Sequence, residues 1–95
     1  KKKEAKKLSK KLVKKGLAAC VSSFGAKSIY LWQEKLCDEK EQILLIKTDA
    51  KFKKVDKFIR KHHSYETPEI LALKPKEVFK KYENWIKKST KKGKK

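Results

Sequence analysis

Two consecutive imidazoles, His62 and His63, are the side chains in this chain best suited to holding a metal ion. Neutral imidazole is a good donor to Cu(II), Zn(II) or Ni(II). Adjacent residues of a helix point about 100° apart, so one ion can take both rings only if the helix has unwound there or the ligands come from different copies of the chain. The structural alternative has one ring capping the last carbonyls of a helix while the other packs. The two cysteines add little to this chemistry. Cys20 stands in an apolar run and reads as a core thiol. Cys37, placed near a hairpin tip, could bind soft Cu(I) or oxidise. They are too few for a disulfide framework and lack the C-x-x-C spacing of zinc and redox motifs, which points to a reducing compartment.

A second constellation is Trp32, Lys47, Tyr65, Glu66 and Glu69. Lysine within a core strand needs a partner, because a buried ammonium is expensive unless paired, and Glu66 or Glu69 can supply one. The simpler reading is an ion pair fixing an interface; the sharper one is a pocket for an anion or small metabolite. Trp32 suits a core or an interface. Catalysis is not expected. Tyr65 with His63 and Glu66 could be drawn as an acid-base cluster, but local charge partners are as common in structural loops. No Ser-His-Asp, H-E-x-x-H, Walker or glycine-rich phosphate pattern occurs, and three glycines leave little room for one.

The elements that must position these residues follow from periodicity. Ala5, Leu8 and Leu12 recur at three and four within Glu4 to Lys15, which predicts an amphipathic helix stopped by Gly16. Leu17 to Val21 reads as a buried strand, with a bulge or bend at Ser22 to Gly25. Ser28 to Lys35 and Glu41 to Thr48 then form an antiparallel hairpin across the polar link Cys37-Asp38-Glu39-Lys40. Thr48 or Asp49 can cap a second helix through Phe52, Val55, Phe58 and Ile59, ending near His62 or His63. Ile70 to Leu73 looks like a short strand. Pro75 opens a third helix along Val78, Phe79, Tyr82, Trp85 and Ile86. Residues 1–86 thus read as a single domain and 87–95 as a lysine-rich flexible tail.

The resulting α-β-β-α-β-α order matches an α+β, ferredoxin-like sandwich lacking its first strand. That strand is central, and its loss leaves two neighbours without backbone partners, each unmade buried hydrogen bond costing about 1 to 3 kcal/mol. The expectation is therefore a further N-terminal segment, in preference to a strand donated by another copy.

Composition narrows the partners. Lys and Arg number 29 against 11 acidic residues in 95, a net charge of +18, and Arg60 is the only arginine. Lysine offers a point charge without the planar fork that reads guanine. No RNP1 pattern is present either, so no specific nucleic acid partner is expected; any contact should be sequence-blind and salt-sensitive, and the lysine surface is read as solvated. No run of 18 apolar residues and no signal-peptide pattern stands within these residues, so neither a membrane partner nor export is expected, and the cytoplasm is the default compartment.

Five strings in order complete the reading. Leu17-Ala18-Ala19-Cys20-Val21, Ser28-Ile29-Tyr30-Leu31-Trp32 with Lys35, Leu45-Ile46-Lys47-Thr48, His62-His63-Ser64-Tyr65-Glu66-Thr67-Pro68-Glu69-Ile70, and Tyr82 with Trp85-Ile86 resemble the CutA family of divalent-cation tolerance proteins from about Glu4 to Ile86. The resemblance implies a ferredoxin-like subunit in a tight homotrimer, hairpin strands pairing across interfaces, no established catalysis, and a role in tolerance to copper and other divalent metals. It also implies that the positions of Trp32, Lys47, Tyr65, Glu66 and Glu69 converge at clefts between subunits, where a small anion or partner protein could bind. Two departures stand out. Ser64 replaces the family's usual proline, and the family's first strand, which in some bacterial members bears a cysteine named among the copper ligands, is missing. Only His62 and His63 carry over as ligands, for a copper (Cu2+) or related divalent ion held with low affinity.

Overall fold

A computed structural model describes residues 2–63 and 69–90 as three helices and two antiparallel strands. Helix α1 (Lys2–Lys14) buries Ala5, Leu8 and Leu12 and turns its lysines outward. It ends where the sequence says it should, in a paired carbonyl-capping motif. Gly16 takes φ 76 and its N–H reaches the Val13 carbonyl at 3.0 Å, while the Leu17 N–H reaches the Leu12 carbonyl at 2.9 Å. A side chain at φ above zero is disfavoured, which is why glycine holds this position.

Strands β1 (Cys20–Trp32) and β2 (Lys35–Lys47) form a single long hairpin. Their register runs without interruption from Cys20 opposite Lys47 to Trp32 opposite Lys35. Two expectations are corrected here. There is no bulge or bend at Ser22 to Gly25, and the turn is Gln33-Glu34, not Cys37 to Lys40. Both turn residues sit in the left-handed region, at φ 53 and 66, as a two-residue turn matched to the twist of its strands requires. Cys37 consequently lies within β2, opposite Tyr30.

Alternation along the strands sorts the hairpin into two faces. Val21, Leu44 and Ile46 face the helices and pack against the buried cluster Leu8, Leu12, Ala18, Val55 and Ile59. The other face carries Phe24, Tyr30, Trp32, Ile43 and Leu45, all exposed to a third or more, with no layer against them among the described residues. Beyond the helices the hairpin also exposes Ile29, Leu31 and Leu36.

Helix α2 (Phe52–His62) starts at Lys51, not at a Thr48 or Asp49 cap. Thr48 is otherwise engaged: its hydroxyl donates to the Leu17 carbonyl at 2.6 Å and accepts the Ala50 N–H at 2.9 Å, tying the entry of α2 to the start of β1. The expected strand Ile70 to Leu73 is not one among the described residues. Ile70 packs on the core, whereas Leu71 and Leu73 are exposed, and among the described residues no ladder pairs that stretch with either strand of the hairpin. Helix α3 (Lys80–Ser89) begins later than Pro75 and runs past Ile86. Thr90, which is buried, closes it: its hydroxyl donates to the Ile86 carbonyl at 2.5 Å and accepts the Asp49 N–H at 3.3 Å. Lys87 is helical and pairs with Glu83 at 3.6 Å; residues 91–95 of the expected tail lie outside the described residues.

Candidate functional site

The end of α2 sets the geometry of the histidine pair. Phe58 and His62 stand one turn apart with ring centroids at 4.2 Å, and the His62 Nδ1 lies 2.9 Å from the Phe58 carbonyl oxygen. A carbonyl can only accept, so Nδ1 carries the proton and donates; in the neutral ring Nε2 is left with its lone pair. His62 is the last helical residue. His63 follows at φ −103 and ψ 141, an extended conformation, so the helix has unwound between the two rings and the fixed angular separation of helical neighbours no longer applies.

The surroundings of His62 are cationic. A cavity of about 550 Å³ is lined by His62 and by Lys3, Lys6, Lys7, Lys10 and Lys11 of α1, with Glu4 its one acid. This was not foreseen from the histidines, though the signal was present in the lysine spacing along α1. A cluster of ammonium groups raises the local potential and disfavours a bare dication. Among the described residues no group of three or more His, Cys, Asp and Glu side chains could hold a metal ion. Among the described residues a metal ion at this turn would therefore find only the imidazoles of His62 and His63 and would need further ligands to complete its coordination.

Of the second constellation, Trp32 and Lys47 do not meet within one chain. Trp32 sits beside the hairpin tip and Lys47 at the opposite end of β2, twelve residues on from Trp32's partner Lys35, so about 40 Å separates them. The Lys47 ammonium donates to the Ser22 hydroxyl at 2.5 Å and lies 3.6 Å from the Cys20 sulfur, on the sheet face away from the helices. Ser22 was missed as its partner because the cross-strand register, not the sequence spacing, brings the two together. Glu69 is exposed; Tyr65 and Glu66 lie outside the described residues. Cys20 and Cys37 are both free and half-buried.

Toward the hairpin tip a polar ladder holds the strands in register. The Ser28 hydroxyl donates to Glu41 at 2.8 Å, the Tyr30 hydroxyl donates to Glu39 at 2.9 Å, and the Gln42 amide donates to the Ser23 hydroxyl at 2.9 Å. The Glu39 carboxylate accepts the Tyr30 proton and its charge opposes a phenolate beside it, so Tyr30 is pushed up to about 12.

Comparison with known proteins accounts for this arrangement of hairpin and helices. Residues 1–89 match the family described as CutA1 divalent ion tolerance protein. The chain is 37% identical over 87 residues to the divalent-cation tolerance protein CutA of Thermotoga maritima, an alignment covering 90% of this chain and 86% of that one. It superimposes on the CutA1 crystal structure from Pyrococcus horikoshii with a TM-score of 0.92, at 29% identity, covering 97% of this chain and 91% of the other. For the CutA structure from Archaeoglobus fulgidus, described as a periplasmic divalent cation tolerance protein, the TM-score is 0.90 at 34% identity, covering 94% and 88%. A match of this extent in both sequence and backbone leaves one assignment: the chain belongs to the CutA1 divalent ion tolerance protein family.

Proposed function

We propose that this chain is the subunit of a non-enzymatic homotrimer that binds copper, or a related divalent ion, with modest affinity through His62 and His63, and so contributes to metal tolerance. The observation that carries the metal reading is the conformational break at His63, joined to the proton on His62 Nδ1. The first frees two neighbouring imidazoles from helical spacing. The second fixes the ring orientation by a hydrogen bond to a backbone carbonyl and leaves the other nitrogen with its lone pair, the usual arrangement behind a metal-ligating histidine. Modest affinity follows from having two ligands and from the five lysines near His62.

Assembly is supported by what one subunit leaves uncovered. A hairpin with an open apolar face is marginal alone in water, and α3 has no buried residue of its own despite Tyr82 and Trp85 stacked at 5.8 Å. The ferredoxin-like sandwich belongs to the same proposal. The outer edge of β2 has no strand beside it among the described residues, and the Ile70 stretch touches the core without a ladder; one further strand between them would satisfy both. Among the described residues no helix is long and apolar enough to cross a membrane. The cytoplasm is the compartment that two free thiols favour.

A second reading is favoured by Lys47. Its ammonium, held by hydroxyl and thiol on the open sheet face, would lie at a contact between copies, where with Trp32, Tyr65, Glu66 and Glu69 it could hold a small anion or a partner protein. Isothermal titration with Cu(II) separates the two. The metal reading predicts a defined stoichiometry per subunit that is lost in the His62→Ala/His63→Ala variant. Unchanged copper binding in that variant would exclude the pair as ligands and leave the cleft reading standing.

A further inference from the structure

Charge is distributed unevenly over the fold. The hairpin from Cys20 to Lys47 holds four lysines and four acidic residues and is electroneutral. Residues 2–15, which form α1 and its end, hold eight lysines against Glu4 alone. The entry and body of α2 hold Lys51, Lys53, Lys54, Lys57, Arg60 and Lys61 against Asp56, and Asp56 is already paired with Arg60 at 3.2 Å. Both helices bury their apolar stripes in one shared core, Leu8 and Leu12 from α1 and Val55 and Ile59 from α2. Their cationic sides therefore form a single surface, opposite the uncovered apolar face of the sheet.

The array is linear. Lys3, Lys7, Lys10 and Lys14 recur at four, three and four along α1, which sets them in one stripe about 16 Å long, and all four are exposed. A small anion could engage two or three of these ammonium groups. A duplex, with one phosphate charge per about 1.7 Å of its axis, can engage the whole stripe and the neighbouring row on α2. A lipid surface fits less well. Interfacial helices immerse a row of large apolar side chains beside their cations, whereas α1 and α2 expose only Val13 and Phe52, and the other large exposed apolar residues lie on the hairpin, between Leu71 and Phe79, and on α3.

We propose that the lysine face of α1 and α2 is a docking surface for the phosphate backbone of double-helical nucleic acid, bound without regard to sequence. This stands independently of the metal reading. Lysine supplies point charges on flexible stems, and the lone Arg60 is held in a fork by Asp56, its Nε and Nη2 donating to the two carboxylate oxygens at 3.2 Å, so no group on this face is poised to read base edges.

Fluorescence anisotropy of the full chain with a labelled DNA duplex tests it. Binding should appear at low salt, fall by about 10³-fold between 50 and 200 mM salt, and differ little between two duplexes of unrelated sequence. Lys3→Gln/Lys7→Gln/Lys10→Gln/Lys14→Gln should reduce the slope of log affinity against log salt by about 3 to 4. A hairpin control, Lys27→Gln/Lys35→Gln/Lys40→Gln, should leave it in place, with circular dichroism verifying the fold of each. Absence of binding at 50 mM salt would overturn the proposal. So would a slope carried instead by Lys91, Lys92, Lys94 and Lys95, an equal loss in the hairpin control, or preference for phosphatidylserine vesicles over the duplex.

Discussion

Leu12 has no exposed surface, and the carbonyl beside it accepts N–H groups from both Leu17 and Ala18, so one residue anchors the core and the turn into β1 together. Its role was legible from the three- and four-residue spacing of apolar positions in α1. So was the placement of the histidine pair at the end of α2, because Phe52, Val55 and Ile59 fix the phase of that helix. Tyr30 was not legible as a titrating group, since its partner Glu39 is set by a register that the turn position decides. The Tyr30 phenol donates to a carboxylate and is held up to about 12 from an ordinary 10.0. The neutral form is the one favoured by folding, so the stabilisation is whole below pH 10 and is lost as the pH rises toward 12. In a spectrophotometric titration of the three tyrosines, Glu39→Gln should bring the highest transition down toward the ordinary value. A transition that stays where it was would show that Glu39 does not hold the proton.

At the scale of elements, the hairpin shows most clearly what sequence patterning does and does not specify. Strand content was readable from dense β-formers such as Ile29-Tyr30-Leu31-Trp32 and Ile43-Leu44-Leu45-Ile46. The turn was not, because Cys37-Asp38-Glu39-Lys40 carries the polar residues that turns favour, while Gln33-Glu34 carries none of the glycine or asparagine that a left-handed turn prefers. The chain accepts two unfavourable turn residues at φ 53 and 66 because the long ladder on either side fixes the register. Each such residue costs about 1 kcal/mol or more. Replacing Gln33-Glu34 by Asn-Gly should therefore stabilise the fold by about 1 kcal/mol, read as a higher urea midpoint with unchanged slope at fixed protein concentration. A lower midpoint would mean that these side chains make contacts worth more than the backbone relief. Ile70 to Leu73 illustrates the complementary limit. Its composition is that of a strand, but strand formation needs an edge to pair with, and composition does not carry that information.

At the scale of the whole molecule, the two sides of the sheet differ in kind. One is sealed by helices whose outer surface concentrates the positive charge; the other presents Phe24, Ile43, Leu45, Tyr30 and Trp32 to solvent on an electroneutral hairpin. Net charge was countable in the sequence, but its segregation required the helices to be placed on one face. Like-charged surfaces repel, so the proposed self-association would use the neutral apolar side and leave the lysine layer outermost. The five proposed cleft residues can meet only if copies bring the tip of one hairpin to the base of another, since about 40 Å of strand separates Trp32 from Lys47 in one chain. Sedimentation equilibrium over a range of concentrations measures this directly. A homotrimer gives a species of three times the 11.2 kDa chain mass that persists on dilution; a folded species sedimenting at the mass of a single chain would overturn the proposed assembly.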